Sequence, residues 1–232
     1  MEGSTEATFF SIWRIESELD GDAGAPYDRR AAVYDRLVRS RLYNRMAWSA
    51  APADYARFAA AAFASSDGPL LEAAAGSAAA TAGLHATSQR PTVLVDLSRP
   101  MLERAARHIA AARDDGDSSD LAARIRLVQA DLSELPFSPH AFTTVLGLGL
   151  LHLFEDVPLL VGALRKQLAP EGQLYLAGLV AETRRARWFL RALHRAGEVA
   201  APKTGEELYV ELGRPADFAT TGCMAYATLP AA

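Results

Sequence analysis

Three carboxylates stand at comparable points along three successive apolar runs: Glu72 ends LLE, Asp96 ends TVLVD, and Asp131 follows RIRLVQA. A carboxylate at the tip of a buried strand is a binding group, since its oxygens accept hydrogen bonds and its charge is costly to leave unpaired. Asp96, 20 residues after Gly76, is the acid best placed to hold a ribose diol by two hydrogen bonds. Its alternative role is to cap the helix that Pro100 opens. At Asp131 a carboxylate beside apolar Leu132 suits an exocyclic amine and a purine face. The stretch LLEAAAGSAAATA, residues 70–82, runs from an acid-tipped strand through small residues into a helix start. A turn with almost no side chains lets a nucleotide-like ligand approach the backbone, and tight helix-on-strand packing selects the same composition.

A second group of residues bears on a reaction rather than on binding. His152 follows the fourth apolar run and titrates in a useful range, so it is the candidate general base; packing beneath a neighbouring helix is the competing reading. Arg187, Arg191 and Arg195 recur every four residues, as a stripe for an anionic substrate or as a solvated helix face. Trp13, Tyr27, Tyr34, Tyr43, Trp48 and Tyr55 crowd the N-terminal part, where packing onto the sheet is the default and a substrate lid the alternative. His85, His108, His140 and His194 show no metal-ligand spacing, and the single cysteine, Cys223, permits neither a disulfide nor a cysteine-based zinc cluster. No metal is expected.

The elements that must position these groups follow from the apolar pattern. Strands are expected at 69–74, 92–96, 126–129, 144–148 and 173–179, separated by helices at 78–84, 100–112 and 158–168 and by an acidic loop at 114–120. Such alternation implies a parallel α/β sheet with helices on both faces, and the carboxyl ends of its strands form the ligand-binding rim. Helical spacing also marks 31–63. After the sheet come helices at 181–199 and 204–212 and two closing strands within 216–229, joined by a hairpin turn at Thr221-Gly222. One domain is expected over 1–232: a helical cap to 66, a cofactor-binding core at 67–180, and a lid helix with closing hairpin from 181.

Composition bounds the rest. Half the residues are apolar, 22% are charged, and mean hydropathy is near zero, as in ordinary globular chains. The longest apolar run, 142–154, is broken by Thr143, Thr144 and His152 and is shorter than the ~20 residues a membrane span needs. The acids among the first six residues do not read as a secretory signal, so a cytoplasmic location and no membrane partner are expected. A net charge of −4 gives no general attraction to nucleic acid. Only Lys166 and Lys203 are lysines against 22 arginines, a bias of GC-rich bacterial genomes. Oligomeric state is open, a homodimer included.

Taken together, LLEAAAGSAAATA, VDLSRPMLERA, QADLSELPF, LHLFED and LAPEGQLYLAGL resemble the class I S-adenosylmethionine-dependent methyltransferase family, and especially its small-molecule branch. The resemblance covers most of the chain and implies a Rossmann-like, doubly wound sheet, mostly parallel with a C-terminal antiparallel hairpin. In the first motif Glu72 and Gly76 match, whereas Ala74 and Ala78 replace the flanking glycines; at Ala78 the added methyl falls where a helix packs closely. The resemblance assigns Asp96 to the ribose hydroxyls, Met101 to the adenine surroundings, Asp131 and Leu132 to the adenine, and Gly147 to the methionine portion, and Leu97 is counted among the cofactor-binding residues. Tyr34-Asp35 and the run LYNRMAW resemble helices that cap the cofactor. A nicotinamide cofactor fits less well: the G-x-G-x-x-G fingerprint is missing, and Glu72 would repel a pyrophosphate while welcoming a cationic amine and sulfonium. The implied activity is methylation of O, N or C on a small metabolite. The alternatives are a fold repurposed for non-methylating chemistry such as cyclisation, motivated by Ala74 and Ala78, and a non-catalytic partner subunit.

Overall fold

A computed structural model of the chain describes residues 12–14, 52–113, 119–213 and 215–231. Tyr34, the 42–48 run and most of the expected 31–63 helices lie outside the described residues. The described elements, in chain order, are β1 (Ile12–Arg14), α1 (Pro52–Ala64), β2 (Leu70–Ala73), α2 (Ala82–Thr87), β3 (Thr92–Asp96), α3 (Arg99–Ala111), α4 (Ser119–Arg124), β4 (Ile125–Gln129), β5 (Phe142–Gly147), α5 (Val157–Arg165), β6 (Leu168–Leu179), α6 (Arg184–Arg195), α7 (Gly205–Glu211), β7 (Asp217–Thr221) and β8 (Met224–Pro230). The strands form one sheet in the order β1-β4-β3-β2-β5-β6-β8-β7. β1 to β6 run parallel, and β8 and β7 close the far side antiparallel.

The strand order reverses at β2, so the chain winds outward first through β3 and β4 and then through β5 and β6. A crevice opens above the carboxyl ends at such a reversal. Period-two alternation divides the core. Leu70, Leu146 and Tyr175 meet Ala59, Ala62 and Phe63 of α1, and Leu94, Ile125 and Leu127 meet α2, α3 and α4. On the opposite face Leu71, Val95, Val145 and Leu174 meet Val157, Leu160 and Val161 of α5 and Leu208 of α7. All four residues of β2 are buried, as a central strand covered on both faces requires.

Helix starts follow their caps. Ser98, Asp156, Thr183 and Thr204 accept a backbone N–H at the first turns of α3, α5, α6 and α7, and Thr204 with Glu207 completes a capping box. The hydrogen bonds from the Thr204 backbone and hydroxyl hold the Glu207 carboxyl below its usual range.

Several expectations shift. α2 starts at Ala82 rather than 78, because Ala78 has φ +51° and cannot lie in a right-handed helix. β6 starts at Leu168, where an expected helix was to end, and pairs with β5 across a register shift. The hairpin loop is Gly222-Cys223, one residue later than expected, since Thr221 still pairs with Met224 and Gly222 has φ +61°. β1 and α4 were not expected at all.

Candidate cofactor site

The turn between β2 and α2 is the first component. Ala74, Gly76 and Ala78 have φ of +50°, +54° and +51°, three left-handed residues at alternate positions. Only Gly76 adopts that conformation without cost; nothing lies within 4 Å of where a Cβ would stand there. Ala74 and Ala78 occupy it against their own Cβ atoms, so the glycine pattern survives as backbone geometry after two of its glycines have gone.

The second component is Asp96 at the end of β3. Its Oδ2 accepts the Gly76 N–H at 2.7 Å and its Oδ1 the Ser98 N–H at 2.8 Å. These bonds lock the carboxylate to the turn and to the first residues of α3, half-buried at the rim. Leu97 is half-buried beside it, its carbonyl held by Gln129 Nε2 at 3.0 Å, and Met101 is buried one turn into α3. The third component is Asp131, whose Oδ1 accepts the Ser133 N–H at 2.8 Å and hydroxyl at 2.7 Å. Among the described residues Oδ2 makes no hydrogen bond, so one carboxylate oxygen is held in place while the other keeps its accepting capacity.

Three expected positions differ in detail. Glu72 does not stand on the open rim: it is 2% exposed, and its carboxylate accepts from Thr81 Oγ1 at 3.0 Å and pairs with His85 Nε2. It fastens α2 to β2 rather than facing a cation. Leu132 is buried in the core with Val95 and Val128. Gly147 is needed for packing, because a Cβ there would stand 2.7 Å from Leu150 Cδ2 and 2.9 Å from Leu176 Cδ2. The short α2 also leaves few open donors, since the N–H groups of Ala78, Thr81, Ala82 and His85 are all bonded to backbone carbonyls.

His152 lies on the turn after β5, where its Nδ1 accepts the Leu179 N–H at 3.3 Å. Burial pushes its pKa down to about 4. The ring is therefore neutral with its proton on Nε2 and its lone pair, on Nδ1, engaged by the Leu179 N–H rather than turned to an acceptor, and the lowered pKa makes it a weak base. That corrects the expected general base.

Tyr55, read from sequence only as one of a crowd of aromatics, lies over this end of the sheet. Its hydroxyl is 2.8 Å from the position a Cβ would take on Gly149, which has φ +64°, and His152 Cε1 is 4.0 Å from the same point. Edge-to-face contacts of Tyr55 with Tyr226 and of Phe58 with Tyr175, and a tilted contact of Phe58 with Tyr226, seat α1 on β6 and β8. Burial, followed by the nearby Asp54 carboxylate, pushes the Tyr226 hydroxyl up to about 12, so it stays protonated. No helix among the described residues is long and apolar enough to cross a membrane, and these residues hold no group of three potential metal ligands.

The residues present fit an adenosyl cofactor: a side-chain-poor turn, a fixed carboxylate for a diol, and a second carboxylate with one oxygen available near the next strand tip. Comparison with known proteins agrees. Residues 71–176 match the family described as "Methyltransferase domain", while comparison with curated proteins returns no match. A SAM-dependent methyltransferase from Thermotoga maritima is similar in structure with TM-score 0.63 at 12% identity, over 89% of this chain and 98% of that one. Geranyl diphosphate C-methyltransferase from Streptomyces coelicolor, in complex with S-adenosyl-L-homocysteine, gives 0.59 at 12% identity over 76% and 74%. The [4+2]-cyclase SpnF gives 0.63 at 17% identity over 86% and 74%. The match to the methyltransferase domain family covers residues 71–176, and the sheet has the Rossmann-like fold of these structurally similar methyltransferases.

Proposed function

We propose that this chain transfers the methyl group of S-adenosylmethionine to a small-molecule acceptor. The observation that carries the reading is the Asp96 carboxylate, tied to Gly76 and Ser98 at the crevice where the strand order reverses. A bound sulfonium supplies an electrophile that is already activated, so the protein's contribution is to position the acceptor and exclude water. Asp96 and Asp131 would hold the nucleoside end. Tyr55 and His152 both approach Gly149 just past the end of β5, which makes them the polar side chains nearest the place an acceptor would take. With His152 a weak base whose Nδ1 is engaged by the Leu179 N–H, the acceptors that suit this site best are nucleophilic without enzymatic deprotonation: a neutral amine, a thiolate or an electron-rich carbon.

A second reading keeps the cofactor site but drops methyl transfer. Left-handed Ala74 and Ala78 favour it, and the cyclase SpnF shows that this fold carries other chemistry. Calorimetric titration with S-adenosylmethionine and S-adenosylhomocysteine, with Asp96→Ala as control, tests the site. Micromolar binding, about −8 kcal/mol, that weakens at least tenfold in the variant is expected; no binding to either ligand by the unaltered chain sinks the assignment. Mass-spectrometric detection of a methylated product from a panel of amines, thiols and aromatic carbons then separates the two readings.

A further inference from the structure

Among the described residues α6 presents an unusual surface. Its sequence, RRARWFLRALHR, carries five arginines and no acid on a chain whose net charge is −4. The inward face is apolar, with Ala186 and Leu190 buried against Ala177, Ala181 and Met224. The outward face is Arg184, Arg185, Trp188, Arg191 and Arg195, all exposed, and Trp188 is 71% exposed. Arg184, Trp188, Arg191 and Arg195 are spaced by four, three and four residues, which aligns them in a strip about 17 Å long. Among the described residues Arg184, Arg185, Arg191 and Arg195 form no ion pair.

Arginine and tryptophan are the side chains that anchor protein interfaces, and a tryptophan 71% exposed keeps a large apolar surface in water. The strip is narrow and bounded: Glu182 precedes it and Glu198 follows it in the chain. A bilayer would need the apolar face turned outward, whereas here that face is buried in the core. A nucleic acid needs a broad positive field, which this short strip on a net acidic chain does not make. What matches one helix of alternating cation and aromatic is one helix of alternating acid and aliphatic.

We propose that α6 is the docking surface for an acidic helix of a partner protein, whose carboxylates pair with Arg184, Arg191 and Arg195 around an apolar contact to Trp188. The helix follows the carboxyl end of β6, so the partner sits at the same end of the sheet as the cofactor rim. Docking does not depend on methyl transfer, and the test reads binding alone. The probe is a labelled synthetic helical peptide with glutamates at i, i+4, i+7 and i+11 and leucines between them, titrated with the full chain by fluorescence anisotropy. Saturable binding is expected, weakened more than tenfold in the Arg184→Glu, Arg191→Glu double variant and severalfold in Trp188→Ala, and weaker at about 0.15 M salt than at low salt. Thermal melting of both variants confirms that these exposed positions leave the fold intact. Absence of saturable binding, equal binding by the charge-reversed variant, or tighter binding to phosphatidylglycerol vesicles or duplex DNA than to the peptide would overturn the proposal.

Discussion

The two ends of the sheet solve opposite problems. At the amino end Arg90 is 4% exposed and every guanidinium nitrogen is used: Nε donates to Gly68 O, Nη1 to Ala62 O and Phe63 O, and Nη2 to Thr143 and Thr144 hydroxyls, all within 3.2 Å. One side chain thereby joins the last carbonyls of α1, the entry to β2 and the start of β5. At the carboxyl end Ala74 and Ala78 hold left-handed backbone, and Asp131 has one carboxylate oxygen outside any hydrogen bond of the described residues. The amino end is saturated and gains stability, while the carboxyl end keeps strain and accepting capacity for a ligand.

The sharpest way to break this comparison is at Arg90. Burial pulls its pKa down, and the Asp67 and Tyr175 charges oppose that shift, yet a guanidinium stays charged throughout the working range. Arg90→Met keeps much of the aliphatic stem and removes all the donors, leaving buried carbonyls and hydroxyls without them. A loss of about 3–5 kcal/mol in urea unfolding is expected, with unchanged affinity for S-adenosylhomocysteine in the folded protein. A loss below about 1 kcal/mol would show that the amino end is not the anchor.

Sensitivity to pH belongs to the carboxyl end. His152 has its pKa lowered from 6.5 to about 4, so between these values the unfolded chain binds a proton that the folded chain does not. Stability therefore falls as pH drops through that window and levels off below it. His152→Asn keeps an acceptor in the place of Nδ1 and cannot protonate. Its melting temperature should stay flatter from pH 7 to pH 4 than that of the unaltered chain, the difference amounting to on the order of 3 kcal/mol. Parallel curves for the two proteins would place the origin of the pH dependence in another group.

Legibility in the sequence divides along the same line. β3 was legible to the residue because TVLVD is β-branched and apolar and closed by Pro91 and Asp96, and Asp96 and Asp131 were found on the rim because strand tips announce themselves. Glu72 followed the same rule and misled. Its partners, Thr81 and His85, stand four residues apart and so share one side of the start of α2, a signal visible only once Glu72 is allowed to be an internal bond. The Arg90 anchor was not legible, since its acceptors come from segments 22 to 54 residues away. His152 was found by position, but its tautomer depends on the Leu179 N–H, 27 residues on.

The smallest effect is the most discriminating. If the left-handed turn is imposed by the fold and not by its alanines, then Ala74→Gly and Ala78→Gly remove a steric cost and should each raise stability, by about 0.5–1 kcal/mol in urea unfolding. That runs against the usual penalty for introducing glycine, which loosens the unfolded chain. Gly76→Ala should lose a similar amount although its Cβ would meet nothing within 4 Å, because φ +54° is strained whatever the space. The gain at Ala78 should be the smaller of the two, since Ala78 is 3% exposed and its methyl packs with Ala82 and Leu102, contacts that glycine gives up. If both substitutions also tighten S-adenosylhomocysteine binding, the alanines oppose the bound form of the turn. If they stabilise the fold and leave affinity unchanged, the strain belongs to the backbone alone and the cofactor meets the same turn in either protein.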